Sequence, residues 1–152
     1  MATRLRGQRF EILEDIAKIS RKIRTIFDAR VREKGLTLAR ARTLLKIARC
    51  EAANQKELAE ELEIETATLV RLIDGLEAQG LIERREVEGD RRAKQVVLTS
   101  SGEMLAELVD RMAAQIGKEV LKGIDEQELA GALRISRRMA GNLEAISLEP
   151  AA

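Results

Sequence analysis

The chain has 152 residues, 45% of them hydrophobic and 35% charged, and its 27 basic and 26 acidic side chains leave a net charge of +1. It contains no His, one Cys, no Trp, no Tyr and two Phe. That excludes a Ser-His-Asp or Cys-His nucleophile, a zinc site of the usual His/Cys kind and an aromatic platform for stacking single-stranded bases.

No Pro interrupts residues 1–149, so long helices are permitted. The first predicted helix covers about residues 8–34. Its Ile12, Ile16, Ile19, Ile23 and Ile26 recur at spacings of 4, 3, 4 and 3, with Leu13, Phe27 and Val31 beside them. This is a heptad-like seam on a rod of about 40 Å. Gly35 ends it. Thr37 caps a second helix over residues 38–49. Asn54 and Glu57 stand at i and i+3, the capping-box pattern, and open a short helix over residues 55–62. Glu63-Ile64-Glu65 makes a tight turn. A fourth helix runs from 66 to 79, with Leu69, Leu72, Ile73 and Leu76 as its apolar stripe and Gly80 at C′. Residues 81–87 and 93–99 then read as strands, joined by a hairpin turn at Glu88-Gly89-Asp90-Arg91-Arg92. Ser100 with Glu103, and Asp125 with Glu128, form two more capping boxes. They start helices over residues 101–122 and 126–146.

The fold class is therefore mostly α with a small β-hairpin, in the order α-α-α-α-β-β-α-α. Two short helices, a tight turn and a hairpin make a winged helix-turn-helix. Helices at both ends, about residues 8–36 and 101–147, are left to pair with another chain. Residues 38–99 form the candidate DNA-binding region, and 1–152 is expected to act as one domain. One Cys allows no internal disulfide. The N-terminal MATRLRGQRF has no apolar core, and no stretch approaches about 18 apolar residues. The expectation is a cytoplasmic protein with no signal peptide, membrane span, cofactor or metal.

With its stripe turned inward, the fourth helix points Ala67, Arg71, Asp74 and Ala78 outward, with Thr68 and Val70 on the flanks. Such a helix suits the major groove. Arg71 can fork onto a guanine or hold a phosphate, Thr66 and Thr68 can bond phosphate oxygens, and Ala67 and Val70 can touch thymine methyls. On the hairpin, Arg84, Arg85, Arg91, Arg92 and Lys94 gather, and Asp90 can orient a tip guanidinium. A tip arginine fits a narrow minor groove. Against this, residues 54–80 hold only Lys56 and Arg71 against seven acids. Residues 1–46, by contrast, carry 13 basic and 5 acidic groups. A solvated helix surface and a charged protective turn remain the plain alternatives for these charges.

From Asn54 to Gly102 the chain resembles the MarR family of bacterial transcription regulators. The matching stretches are QKELAEELEIETATLVRLIDGLEAQGLIERR and EGDRRAKQVVLTSSG. Their most specific features are Asp90-x-Arg92, Leu98-Thr99 and Gly102. The run LVRLIDGLEAQGLIER with DRRAK is most similar to the SlyA-like branch. The resemblance implies a homodimer bound to pseudo-palindromic double-stranded DNA. It implies base reading by Thr66 through Arg71 and minor-groove insertion by Arg92 first and Arg91 second. Ala67 and Val70 depart from the small hydroxyl residues of many members, which leaves the operator sequence open. The resemblance also implies a small aromatic or anionic effector in a crevice beside the winged region, where Arg40 or Arg42 would meet an anion. Cys50 follows the second helix and reads as a small buried or half-buried residue, not as the redox sensor of one branch. The competing reading is a helical dimer whose winged region binds a protein partner.

Overall fold

The computed structural model describes residues 2–50, 53–87 and 90–146 of the chain. Nine elements follow in order: α1 (Ala2–Arg32), α2 (Leu38–Arg49), β1 (Ala53–Asn54), α3 (Gln55–Leu62), α4 (Thr66–Ala78), β2 (Ile82–Val87), β3 (Asp90–Leu98), α5 (Ser100–Val120) and α6 (Glu126–Glu144). Contacts within the chain divide it into two compact units, one ending at Ile116 and the other beginning at Gly117.

Local chemistry sets most of these bounds. α1 ends where Gly35 takes φ 73°. There the Leu36 N–H reaches the Val31 carbonyl at 3.1 Å and the Gly35 N–H reaches that of Arg32 at 3.0 Å. Those two bonds satisfy carbonyls that the helix end would otherwise strand. The Thr37 side chain caps α2 by accepting the Arg40 N–H at 3.3 Å. Two of the three expected capping boxes form: Asn54 accepts from Glu57 N–H at 2.9 Å, and Asp125 accepts from Glu128 N–H at 2.8 Å, while Ser100 with Glu103 does not form one. α4 ends as predicted, with Gly80 at φ 70° and Leu81 N–H on the Leu76 carbonyl at 3.0 Å.

Several details differ from the sequence reading. α1 begins at Ala2, earlier than residue 8. The cap of α5 is Thr99, one residue before Ser100. Thr99 Oγ1 accepts the Gly102 N–H at 3.1 Å and donates to the Gly80 carbonyl at 2.7 Å. A tertiary partner, Gly80, thus selects between two neighbouring hydroxyl residues. The sheet has three strands, in the order β1-β3-β2. β1 is only two residues long and pairs Ala53 with Val96 and Asn54 with Gln95. β2 and β3 pair antiparallel from Ile82↔Leu98 outward, with an irregularity at Glu86/Val87. The expected turn glycine, Gly89, lies outside the described residues.

The core of the first unit is one cluster. Val31 of α1, Leu44 of α2, Leu58 of α3, Leu69, Ile73 and Leu76 of α4, Ile82, Val96 and Val109 are all essentially inaccessible. Thr43 is buried among them and satisfied, since its hydroxyl donates to the Ala39 carbonyl at 2.9 Å. The isoleucine seam of α1 splits in two. Ile23, Phe27 and Val31 pack on this core, while Phe10, Ile12, Leu13, Ile16 and Ile19 are exposed. In the second unit α6 buries no residue, and Leu129, Leu133, Ile135 and Leu143 are exposed. Among the described residues no helix is long and apolar enough to cross a membrane.

Candidate nucleic-acid interface

α3 and α4 approach closely because Ala59, small and buried, lies in the core cluster, and Ile64 packs partly buried in the turn. Glu63 makes that turn in the left-handed region at φ 54°, which strains a non-glycine residue by about 1 kcal/mol. α4 then turns Leu69, Ile73 and Leu76 inward. Thr66, Ala67, Thr68, Arg71, Asp74 and Ala78 are exposed, and Val70 is half-buried. This is the face the sequence predicts. Its first turn has no side-chain cap.

Four of the seven acids of residues 54–80 are engaged within the fold. Glu57 is held in its capping box, and Lys46 of α2 pairs with Glu61 of α3. Asp74 and Glu77 of α4 both bind the guanidinium of Arg84. Glu77 also accepts the Arg84 backbone N–H at 3.3 Å. Burial works against the Arg84 charge, but hydrogen bonding and attraction from Asp74 and Glu77 outweigh it and raise its pKa above the ordinary value. Arg71, by contrast, has no ion pair among the described residues. The net result is an exposed arginine on a helix whose two nearest acids on the C-terminal side are neutralised.

Arg84 therefore departs from its expected place among the DNA-binding wing residues. Its side chain is 17% exposed and faces α4. It joins the base of the hairpin to the recognition helix. Arg85 pairs with its neighbour Glu83 at 2.6 Å. Asp90, Arg91, Arg92 and Lys94 all belong to β3, which begins earlier than residue 93. Their side chains lie outside what the structure describes.

Arg40 and Arg42, either of which is a candidate to meet an anionic effector, lie about 160° apart around α2. Arg40 is half-buried against Gly75 of α4, and Arg42 is exposed. Neither lines the hollow of about 420 Å³ between α2, the end of β3 and α5. Arg49 does, together with Leu45, Ala48, Leu98, Ala106 and three acids, Glu103, Glu107 and Asp110. Arg49 is already bonded to Asp110 at 2.9 Å. Cys50 is half-buried at the end of α2, in keeping with a packing residue. No cluster of potential metal ligands occurs among the described residues.

Sequence reasoning passed over Glu77 and Gly75. Gly75 had a signal, since a glycine inside an exposed helix weakens it and often marks close approach by a neighbour.

The geometry defines a winged helix-turn-helix protein. A model described as "MarR family" matches residues 34–93. The crystal structure of the transcriptional regulator PA3341 shares 41% identity, covering 90% of this chain and 99% of that one with a TM-score of 0.80. The transcriptional regulator SlyA matches at 26% identity over 87% of this chain and 93% of its own, TM-score 0.78. A putative MarR family transcriptional regulator from Listeria monocytogenes, solved with 26mer DNA, matches at 26% identity over 86% and 87%, TM-score 0.79. The chain belongs to the MarR family of transcription regulators, and its likeness to SlyA is consistent with the SlyA-like branch.

Proposed function

We propose that the protein is a homodimeric, sequence-specific regulator of transcription that binds pseudo-palindromic double-stranded DNA in the cytoplasm. Residues 38–99 meet the DNA, and residues 8–36 and 101–147 pair the two copies. α4 enters the major groove, where Thr66 and Thr68 hold phosphates, Ala67 and Val70 touch base edges, and Arg71 reads a base or phosphate. Asp90, Arg91, Arg92 and Lys94 of the wing serve the adjacent minor groove, with Arg92 leading. The protein acts by occupying its site, as a repressor does, and not by chemistry.

The observation that carries this reading is the exposed Arg71, without an ion pair among the described residues, on a helix whose Asp74 and Glu77 are withdrawn by Arg84. The DNA complex of the Listeria relative supports it. For a small effector, the hollow beside Arg49 is the proposed site. Three carboxylates against one paired arginine suit a neutral or cationic aromatic compound better than an anion.

A mobility-shift titration on the protein's own promoter region tests the assignment. Arg71→Ala is expected to weaken specific binding by about 10- to 100-fold, the worth of a lost base or phosphate fork. Arg92→Ala is expected to weaken it to a similar degree, most on sites with A·T-rich flanks. Full affinity in both variants would overturn these roles.

A further inference from the structure

Resting on the DNA-binding reading above, we propose that Arg40 of α2 is a phosphate-binding residue of the interface, seated there by Gly75 of the recognition helix.

A Cβ built on Gly75 would stand 2.5 Å from Arg40 Nη2, 3.0 Å from Cζ and 3.1 Å from Nε. The guanidinium therefore lies against the bare backbone of α4 at this position, in space that any other residue would fill. A glycine inside a helix costs about 1 kcal/mol relative to alanine. The close approach of Arg40 explains why that cost is tolerated here.

The seat places the charge on the exposed side of α4. At 100° per residue, Gly75 lies about 40° from Arg71 and about 20° from Thr68, and about 100–160° from Leu69, Ile73 and Leu76. It stands one turn beyond Arg71. Arg40 is thus half-buried, with its head beside the base-reading face.

Its charge is also unspent. Lys46 and Arg49 on the same helix are paired with Glu61 and Asp110, and Arg84 is paired twice. Among the described residues no carboxylate pairs with Arg40, while its backbone N–H bonds the Thr37 side chain. A fixed, partly desolvated guanidinium without a counter-ion is completed by an anion from outside. The duplex backbone supplies one. This also answers the shortage of cations within residues 54–80, where only Lys56 and Arg71 oppose seven acids. The cation arrives from the helix behind.

A phosphate contact carries no base preference but releases counter-ions. The test is Arg40→Gln against the unaltered protein, titrated on a selected duplex and a scrambled duplex between 50 and 200 mM salt (roughly the range over which such slopes are read). The expected result is weaker binding to both duplexes by a similar factor. The slope of log K against log salt should fall by about 0.9 per protomer. Arg40→Lys should keep the slope, and Gly75→Ala, which displaces the charge without removing it, should lower it. Gly75→Ala carries the test if Arg40→Gln does not fold. An unchanged slope in Arg40→Gln and Gly75→Ala, while Arg71→Ala still loses the selected site, overturns the role of Arg40 and leaves the DNA reading standing. Failure of the unaltered protein to bind any duplex would overturn both.

Discussion

Gly102→Ala is expected to lower stability by about 3 kcal/mol, at the upper end for overpacking a tight contact, and the melting temperature by about 10 °C. A Cβ at Gly102 collides with the Leu81 carbonyl oxygen. That carbonyl cannot move freely, because it accepts the Thr99 N–H at 3.1 Å. Thr99 in turn holds the Gly80 carbonyl and the Gly102 N–H. The substitution therefore pries apart the point where the recognition helix ends, the wing begins and α5 starts. The sign makes the test sharp. Glycine to alanine in an unobstructed helix adds up to about 1 kcal/mol. Thermal unfolding of the two proteins side by side decides it, and a melting temperature equal to or above that of the parent would contradict the packing described.

The second large effect is expected on assembly. Ile16 and Ile19 are 46% and 52% exposed on α1, on the stretch of the seam that does not pack on the core. Since each is only about half exposed, burying the remainder in a dimer contributes roughly half of the 1.5–3 kcal/mol of full burial, twice over by symmetry. Replacing both by Asp removes that burial and sets like charges facing each other. Ile16→Asp with Ile19→Asp should raise the dimer dissociation constant by about 1000-fold or more, equivalent to about 4 kcal/mol. Helix content should change little, since neither side chain contributes to the core. Sedimentation equilibrium reads the result, and affinity for a two-half-site duplex should fall with it. A double variant that stays dimeric and binds DNA normally would remove α1 from the pairing surface.

Much of this architecture is legible in the residues themselves. Thr37, Asn54 with Glu57, and Gly80 are local devices that act within about four residues. They place the bounds of α2 and α3 and the end of α4 where the sequence reading puts them. The exposed face of α4 follows from its apolar stripe. What escapes is non-local. β1 is two residues long and has no periodicity of its own; only Val96 and Gln95 across the sheet define it. Thr99 and Ser100 are equally good caps on paper, and the Gly80 carbonyl decides between them. Arg84 reads as a wing cation until Asp74 and Glu77 are seen beside it. Arg40 reads as one of two alternative partners for an anionic effector, and nothing in the sequence shows its guanidinium on Gly75, 35 residues away. A charge in a sequence is only an offer of a contact. The fold decides whether a carboxylate of the same chain takes it up.

Selection of bound duplexes from a random pool, using the purified unaltered protein at low salt, puts the central claim at greatest risk. Strong enrichment of one sequence with two-fold symmetry is expected. Its half-sites should lie about one helical turn apart, centre to centre, as two linked recognition helices require. Enrichment of nothing above the starting pool, or of a single unsymmetrical element, would contradict it.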